Sequence, residues 1–196
     1  MDSQSFVVRT GRLGLRFLRE QDRAEFVRVW ELSRAQNQPW FPALPAGKTA
    51  QQVFDESLER CERGRREDTD YRLIATRADG RIAAFVNLSS VVRRAFQCST
   101  IGWYVNAELA GQGYCTEAVA GALDYAFAPP PAGVGLHRVQ AAIIPHNAAS
   151  IRVAEKNGFV REGLCRRYLQ IAGAWQDHAL YAKLSDEHVL RFLSVV

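Results

Sequence analysis

The residues Gly111-Gln112-Gly113-Tyr114-Cys115-Thr116 open an apolar run, and their types are suited to chemistry. A helix amino terminus leaves its first amides without partners inside the helix, and its dipole favours negative charge. Glycine lets the backbone bend and come close to a ligand. The stretch is therefore either a structural turn or a cradle for phosphate oxygens. Two nucleotide motifs are excluded by the letters. A dinucleotide fingerprint needs a third glycine where Thr116 stands, and a P-loop needs Gly-Lys-Ser/Thr, with no lysine nearby.

Further along, Asn147 precedes "AASIRVAEKNG" and suits a helix N-cap. Ser150, three residues later, is a hydroxyl in the first turn, a common site of side-chain to backbone bonding. Trp40 and Phe41 lie between prolines and either clamp the core or wall a pocket. Asp177-His178 either faces such a pocket or pairs with an arginine, and neither is assigned as a base. Glu117, near a helix start, is accounted for by the helix dipole. The histidines His137, His146, His178 and His188 have no metal-ligand spacing. Cys61, Cys98, Cys115 and Cys165 form no CxxC unit and read as reduced, small apolar residues. No metal site is expected.

These residues need elements to hold them. "RLGLRFL" alternates as a strand. "QDRAEFVRVWELSRA" follows as a helix, with Ala24, Val27 and Trp30 on its apolar face. "NQPWFPALPAG" reads as a loop. "TAQQVFDESLERCERG" begins with a Thr49/Gln52 capping box and ends at Gly64. "YRLIAT", "IAAFVNLSSVV" and "CSTIGWYV" are strands. The glycine stretch leads into a buried helix that stops at "APPPAGVG". "HRVQAAIIP" is a strand, "NAASIRVAEKNG" a helix ending near Gly158, and "FVREGLCRRYLQIAGAWQDHALYAKL" two strands around a glycine turn. The tail "DEHVLRFLSVV" suits a short helix. Alternation places Trp103 and Tyr104 on opposite faces, so at most one lines a groove directly.

The order predicts a mixed α/β chain. Consecutive strands favour antiparallel pairing, and the strand–helix–strand unit around the glycine stretch favours one parallel pair. At 196 residues the chain suits a single domain spanning 1–196. A net charge of +4, carried by scattered arginines, favours anionic ligands without pointing to nucleic acid. No apolar run reaches membrane-spanning length, and the first residues lack the pattern of a signal peptide, so a soluble cytoplasmic protein is expected.

"GQGYCTEA" followed by "LHRVQAAIIPHNAASIRVAEKNGFVREG" resembles the GNAT acyl-CoA-dependent N-acetyltransferases, in particular the RimJ/RimL branch that acetylates the N-termini of ribosomal proteins. "RLGLRFLREQD", "NQPWFPAL", "NLSSVVRRAFQCSTIGWYV" and "YLQIAGAWQDHALYAKL" extend the resemblance over nearly the whole chain. Ala110 and Cys115 depart from the family pattern, which often has Arg or Gln, and Gly or Ala, at those positions. The resemblance implies a mostly antiparallel sheet flanked by helices and split like a V, with acetyl-CoA in the split and no metal. It places the pyrophosphate on Gly111, Gln112, Gly113, Tyr114, Cys115 and Thr116, and the pantetheine arm by Asn147. Trp103, Tyr104 and Val105 border the cofactor, with a strand amide near Val105 stabilising the oxyanion. Ser150 is implied to return a proton to the leaving thiolate. Trp40, Phe41 and Asn87 fall to the acceptor side. The acceptor implied is a primary amine, most directly a protein N-terminus. Acetylation of a small amine, or acyl-CoA binding without turnover, are the rival readings.

Overall fold

The structure, a computed structural model, describes residues 6–45 and 47–190. Eight strands form one sheet in the order β1-β2-β3-β4-β5-β6-β8-β7. They are β1 (Val8–Arg9), β2 (Gly14–Phe17), β3 (Tyr71–Thr76), β4 (Ile82–Val92), β5 (Cys98–Val105), β6 (Arg138–Ile143), β7 (Val160–Ile171) and β8 (Ala174–Leu184). Four α-helices flank the sheet: α1 (Arg23–Asn37), α2 (Ala50–Glu67), α3 (Tyr114–Phe127) and α4 (Ala148–Lys156). All neighbouring strands run antiparallel except β5 and β6, whose parallel pairing uses α3 as the crossover.

Strand alternation divides the core into two layers. Phe85 and Ile74 point to one face, where they pack on Phe26 and Val29 of α1 and Phe54 of α2. Val86, Leu73 and Ile101 point to the other, against Ala118, Val119 and Leu123 of α3 and Ala154 of α4.

The split that positions the site lies between β5 and β6. They pair only through Cys98–Arg138, Ser99–Val139 and Thr100–Gln140. β5 then continues to Val105 and β6 to Ile143 without pairing with each other, so the sheet opens as a V. This is the split, mostly antiparallel sheet that the resemblance implies.

Several local expectations are corrected. α1 buries Phe26, Val29 and Ser33, with Val27 and Trp30 packed beside them, while Ala24 is exposed. The apolar stripe is centred on Phe26 because two of its rings' neighbours, Phe54 and Phe85, lie 5.2 and 5.3 Å away. α2 does begin with the Thr49/Gln52 capping box, but it runs past Gly64 to Asp68, a left-handed residue with φ 56°. Gly64 serves a different purpose: a Cβ there would meet the Asp70 Cβ at 2.5 Å and its carbonyl oxygen at 2.7 Å. The chain folds back over the helix, and only glycine leaves room. β1, too short to show a period, was not foreseen. Residues 185–187 form a bend and turn and 188–190 have no regular structure, so no helix forms there, and 191–196 lie outside the described residues.

Candidate active site

A cavity of about 550 Å³ fills the split. It is lined by Trp40, Phe41, Asn87, Trp103, Tyr104, Val105, Gly111, Gly113, Tyr114, Cys115, Thr116, Asn147 and Ser150. Sequence reasoning had picked out all of these. Gln112 does not line it. Its amide group donates to the Glu108 carbonyl at 3.3 Å, and its own carbonyl accepts from Arg12 Nη1 at 3.1 Å. It buttresses the loop from outside.

Gly111 and Gly113 adopt φ 75° and 80°, a left-handed region that favours glycine. Gly113 is the N-cap of α3 and brings no side-chain cap to it. The contrast with the other helices is informative. Thr49 caps α2, and the Asn147 carboxamide oxygen caps α4 by accepting from the Ser150 amide at 3.1 Å. The start of α3 therefore opens onto the cavity without a side chain on its amides, beside the cationic Arg152 and Lys156 of α4. An anion fits there on both counts, main-chain donors and charge.

Glu117 does more than answer the helix dipole. It accepts from Thr10 Oγ1 at 2.5 Å, from the Arg12 amide at 2.7 Å and from Arg12 Nε at 2.6 Å. The Arg12 guanidinium lies over the Tyr114 ring, 4.3 Å from its centroid. The connection between β1 and β2 thus clamps the glycine loop from behind. On the other flank, the Asn157 amide group donates to the Thr116 carbonyl at 3.2 Å and ties α4 to α3.

The Ser150 hydroxyl makes no hydrogen bond to the described residues and faces the cavity. Its backbone amide, not its side chain, takes part in capping. Trp103 and Tyr104 do face opposite ways. Trp103 packs near Phe159 at 6.2 Å, and Tyr104 stacks on Phe85 at 4.3 Å. Both nevertheless line the cavity. The expectation that at most one would do so assumes an intact sheet, whereas the open V exposes both faces at once.

Residues 12–160 match the acetyltransferase (GNAT) domain family. The chain belongs to the GNAT family. As a GNAT enzyme it is an N-acetyltransferase. It is 38% identical over 133 residues to a probable N-acetyltransferase, YjcK, of Bacillus subtilis, covering 67% of this chain and 69% of that one. It is 26% identical over 174 residues to the [ribosomal protein uS5]-alanine N-acetyltransferase of Escherichia coli, covering 88% of each. Among solved structures, Mycobacterium smegmatis RimJ in complex with CoA-disulfide superposes with a TM-score of 0.81 at 29% identity, over 92% of this chain and 85% of that one.

The face of this GNAT sheet away from α3 carries the aromatic loop. Phe41 meets Tyr104 edge-on at 5.4 Å, and its carbonyl accepts from the Ala172 amide in the β7–β8 turn at 3.0 Å. Trp40 leans on His146 at 5.4 Å. Burial pushes the Tyr104 hydroxyl above its ordinary range, against a smaller opposing pull from Arg72, so it stays protonated. Burial likewise pushes the Cys115 thiol up to about 12, which keeps it from acting as a thiolate. Asp177 pairs with no guanidinium among the described residues: its carboxylate accepts from the Arg167 amide at 2.8 Å, at a bulge of β7. Arg12, Arg152, Lys156 and His178 were not assigned to the site from sequence. A scattered cation in a helix or loop, or a lone histidine on a strand, carries no local signal of the cavity it faces.

Proposed function

We propose that this acetyltransferase transfers the acetyl group of acetyl-CoA to a primary amine, and that the amine is the α-amine of a protein N-terminus, with ribosomal proteins the first candidates. The uncapped start of α3 at Gly113 carries the cofactor half of the reading. The amides of Gly111 through Thr116 would hold the pyrophosphate, with Arg152 and Lys156 adding charge. The Asn147 amide nitrogen remains for the pantetheine arm, since its oxygen caps α4. Bound there, acetyl-CoA supplies an activated acyl carbon. Val105, at the end of β5 that has parted from β6, would offer its amide to the acyl oxygen. Ser150 would give a proton to the departing sulfur.

The acceptor half rests on charge. Among the described residues that line the cavity, none is Asp or Glu. A polyamine carries several cations and needs carboxylates to hold them. Trp40, Phe41 and Asn87 instead offer flat apolar walls and one carboxamide, which suit a peptide end. A relative that acetylates the alanine of ribosomal protein uS5 supports the same reading. We further propose a cytoplasmic location, in keeping with four free cysteines.

The test is an array of N-terminal peptides with spermidine and free amino acids beside them, with coenzyme A release and product mass as readouts. Acetylation of the α-amine in a subset of peptides is expected. Turnover of spermidine at a higher kcat/KM than of every peptide refutes the acceptor assignment.

A further inference from the structure

We propose that His178 is the general base that takes the proton from the acceptor amine. The proposal rests on reading the cavity as the place where amine and thioester meet.

His178 lies on β8 and lines the cavity, yet only 2% of it is exposed to solvent. Its ring is oriented by one hydrogen bond, from Nδ1 to the Gln176 carbonyl at 3.0 Å. A carbonyl only accepts, so Nδ1 must carry the hydrogen. In the neutral ring, Nε2 then holds the lone pair. Nε2 has no partner among the described residues. A fixed tautomer with its basic nitrogen free is what a general base needs.

Strand register places it on the correct side. Ile143 pairs with Ala179 and Ala141 with Tyr181, all four facing α3 and α4. His178, one residue on from Ala179, faces the other way. Asn87, Gly102 and Tyr104 share that face by the same alternation, since Asn87 pairs with Gly102 and Phe85 with Tyr104. Ser150, on α4, reaches the split from the opposite face. Base and acid thus approach the two reacting partners from opposite sides of the V. Around the imidazole, the titratable neighbours are Tyr168, whose ring centroid is 5.9 Å away, and Cys165, its partner across the β7–β8 ladder. Neither is a carboxylate. Asp177 is exposed and engaged with the Arg167 amide.

The proton balance closes. The acceptor arrives as an ammonium and ends as an amide, losing two protons. Nε2 takes one and later releases it to water. The freed lone pair forms the C–N bond as the C–S bond breaks, and the second proton ends on the sulfur, by way of Ser150.

Two variants and one spectrum test this. His178→Asn keeps a donor for the Gln176 carbonyl but has no basic nitrogen. It should fold, bind acetyl-CoA within about twofold of wild type, and lose kcat by about 10²-fold or more, the range of general base catalysis. His178→Ala should be similarly slow and regain rate with added imidazole. The acceptor used is whichever peptide or amine the array shows to be turned over. Full kcat in His178→Asn, or a loss of acetyl-CoA affinity matching the loss of rate, overturns the proposal. The tautomer needs no acceptor at all. Nitrogen-15 correlation spectra of the free protein should show the neutral ring protonated on Nδ1. Protonation on Nε2 overturns the assignment even if every acceptor in the array fails, which would sink only the choice of acceptor.

Discussion

Arg12 and Glu117 join the β1–β2 connection to the first turn of α3 through two contacts, amide to Oε1 at 2.7 Å and Nε to Oε2 at 2.6 Å. The glycine loop is held in shape by residues a hundred positions away in the chain. Glu117→Ala removes both contacts and the one from Thr10. Coenzyme A affinity should fall by about tenfold, the scale of one or two lost hydrogen bonds. Calorimetric titration of wild type and variant checks this.

The same carboxylate gives a pH signature. Burial alone would raise the Glu117 carboxyl, but the bonds from Thr10 and from the amide and guanidinium of Arg12 outweigh it and hold it below the ordinary range. A value lower in the folded than in the unfolded state stabilises the fold above the unfolded value of about 4.3. That contribution disappears as pH falls through the folded value. Between neutral pH and pH ~3, the thermal midpoint of wild type should drop further than that of Glu117→Gln. Parallel curves would refute the hub role.

Gly113→Val should be more damaging than Gly113→Ala. Both place a Cβ at φ 80°, 3.4 Å from Arg12 Nη2, and the β-branched residue tolerates that backbone least. Coenzyme A affinity should fall by more than tenfold, about 1.4 kcal/mol. Unchanged affinity in a folded valine variant removes the loop from the site.

Asn147 and Ser150 should separate stability from rate. Asn147 caps α4, so Asn147→Ala should cost about 0.5–2 kcal/mol of stability and weaken coenzyme A binding. The Ser150 side chain is not part of the cap. Ser150→Ala should therefore leave the thermal midpoint nearly unchanged and lower kcat, by about 10²-fold or less because a thiolate leaves readily. Thermal melts and saturating kinetics on both variants decide the matter. A fully active Ser150→Ala enzyme rules out the acid role.

Among the described residues no group of three or more His, Cys, Asp or Glu side chains is placed to hold a metal ion. Activity should survive exhaustive chelation. A loss with EDTA that a divalent ion restores would overturn a mechanism built on side chains alone.

What could be read from the chain followed the reach of each signal. Thr49/Gln52 and Asn147 announce their helices because caps act over three residues, and both cap as expected. The cavity-lining residues around Gly111–Thr116 and Asn147 were legible because their pattern is local and resembles a family. Gly64 looked like a helix end because the cause of that glycine, the approach of Asp70, is a tertiary contact. Trp103 and Tyr104 were misjudged because alternation describes a strand inside a sheet, and β5 leaves its neighbour after Thr100. His178 gave no more than a dipeptide beside Asp177. Its orientation depends on the Gln176 carbonyl and on register with β6, which no short stretch encodes.

The short ladder between β5 and β6 has a mechanical consequence. Five strands, β1 to β5, lie on one side of it and three on the other, and the two blocks share three residue pairs of main-chain pairing. A sheet resists flexing across its strands in proportion to the ladder that spans them, so the joint between these two blocks is compliant; only the terminal two-residue β1, held to β2 by two pairs, has a shorter ladder. The Asn157 to Thr116 bond braces one face of it and leaves the other to the loop of Trp40 and Phe41. Whatever fills the gap stands in for the missing rungs and stiffens the whole molecule, and amides along the free edges of β5 and β6 should exchange more slowly when coenzyme A is present.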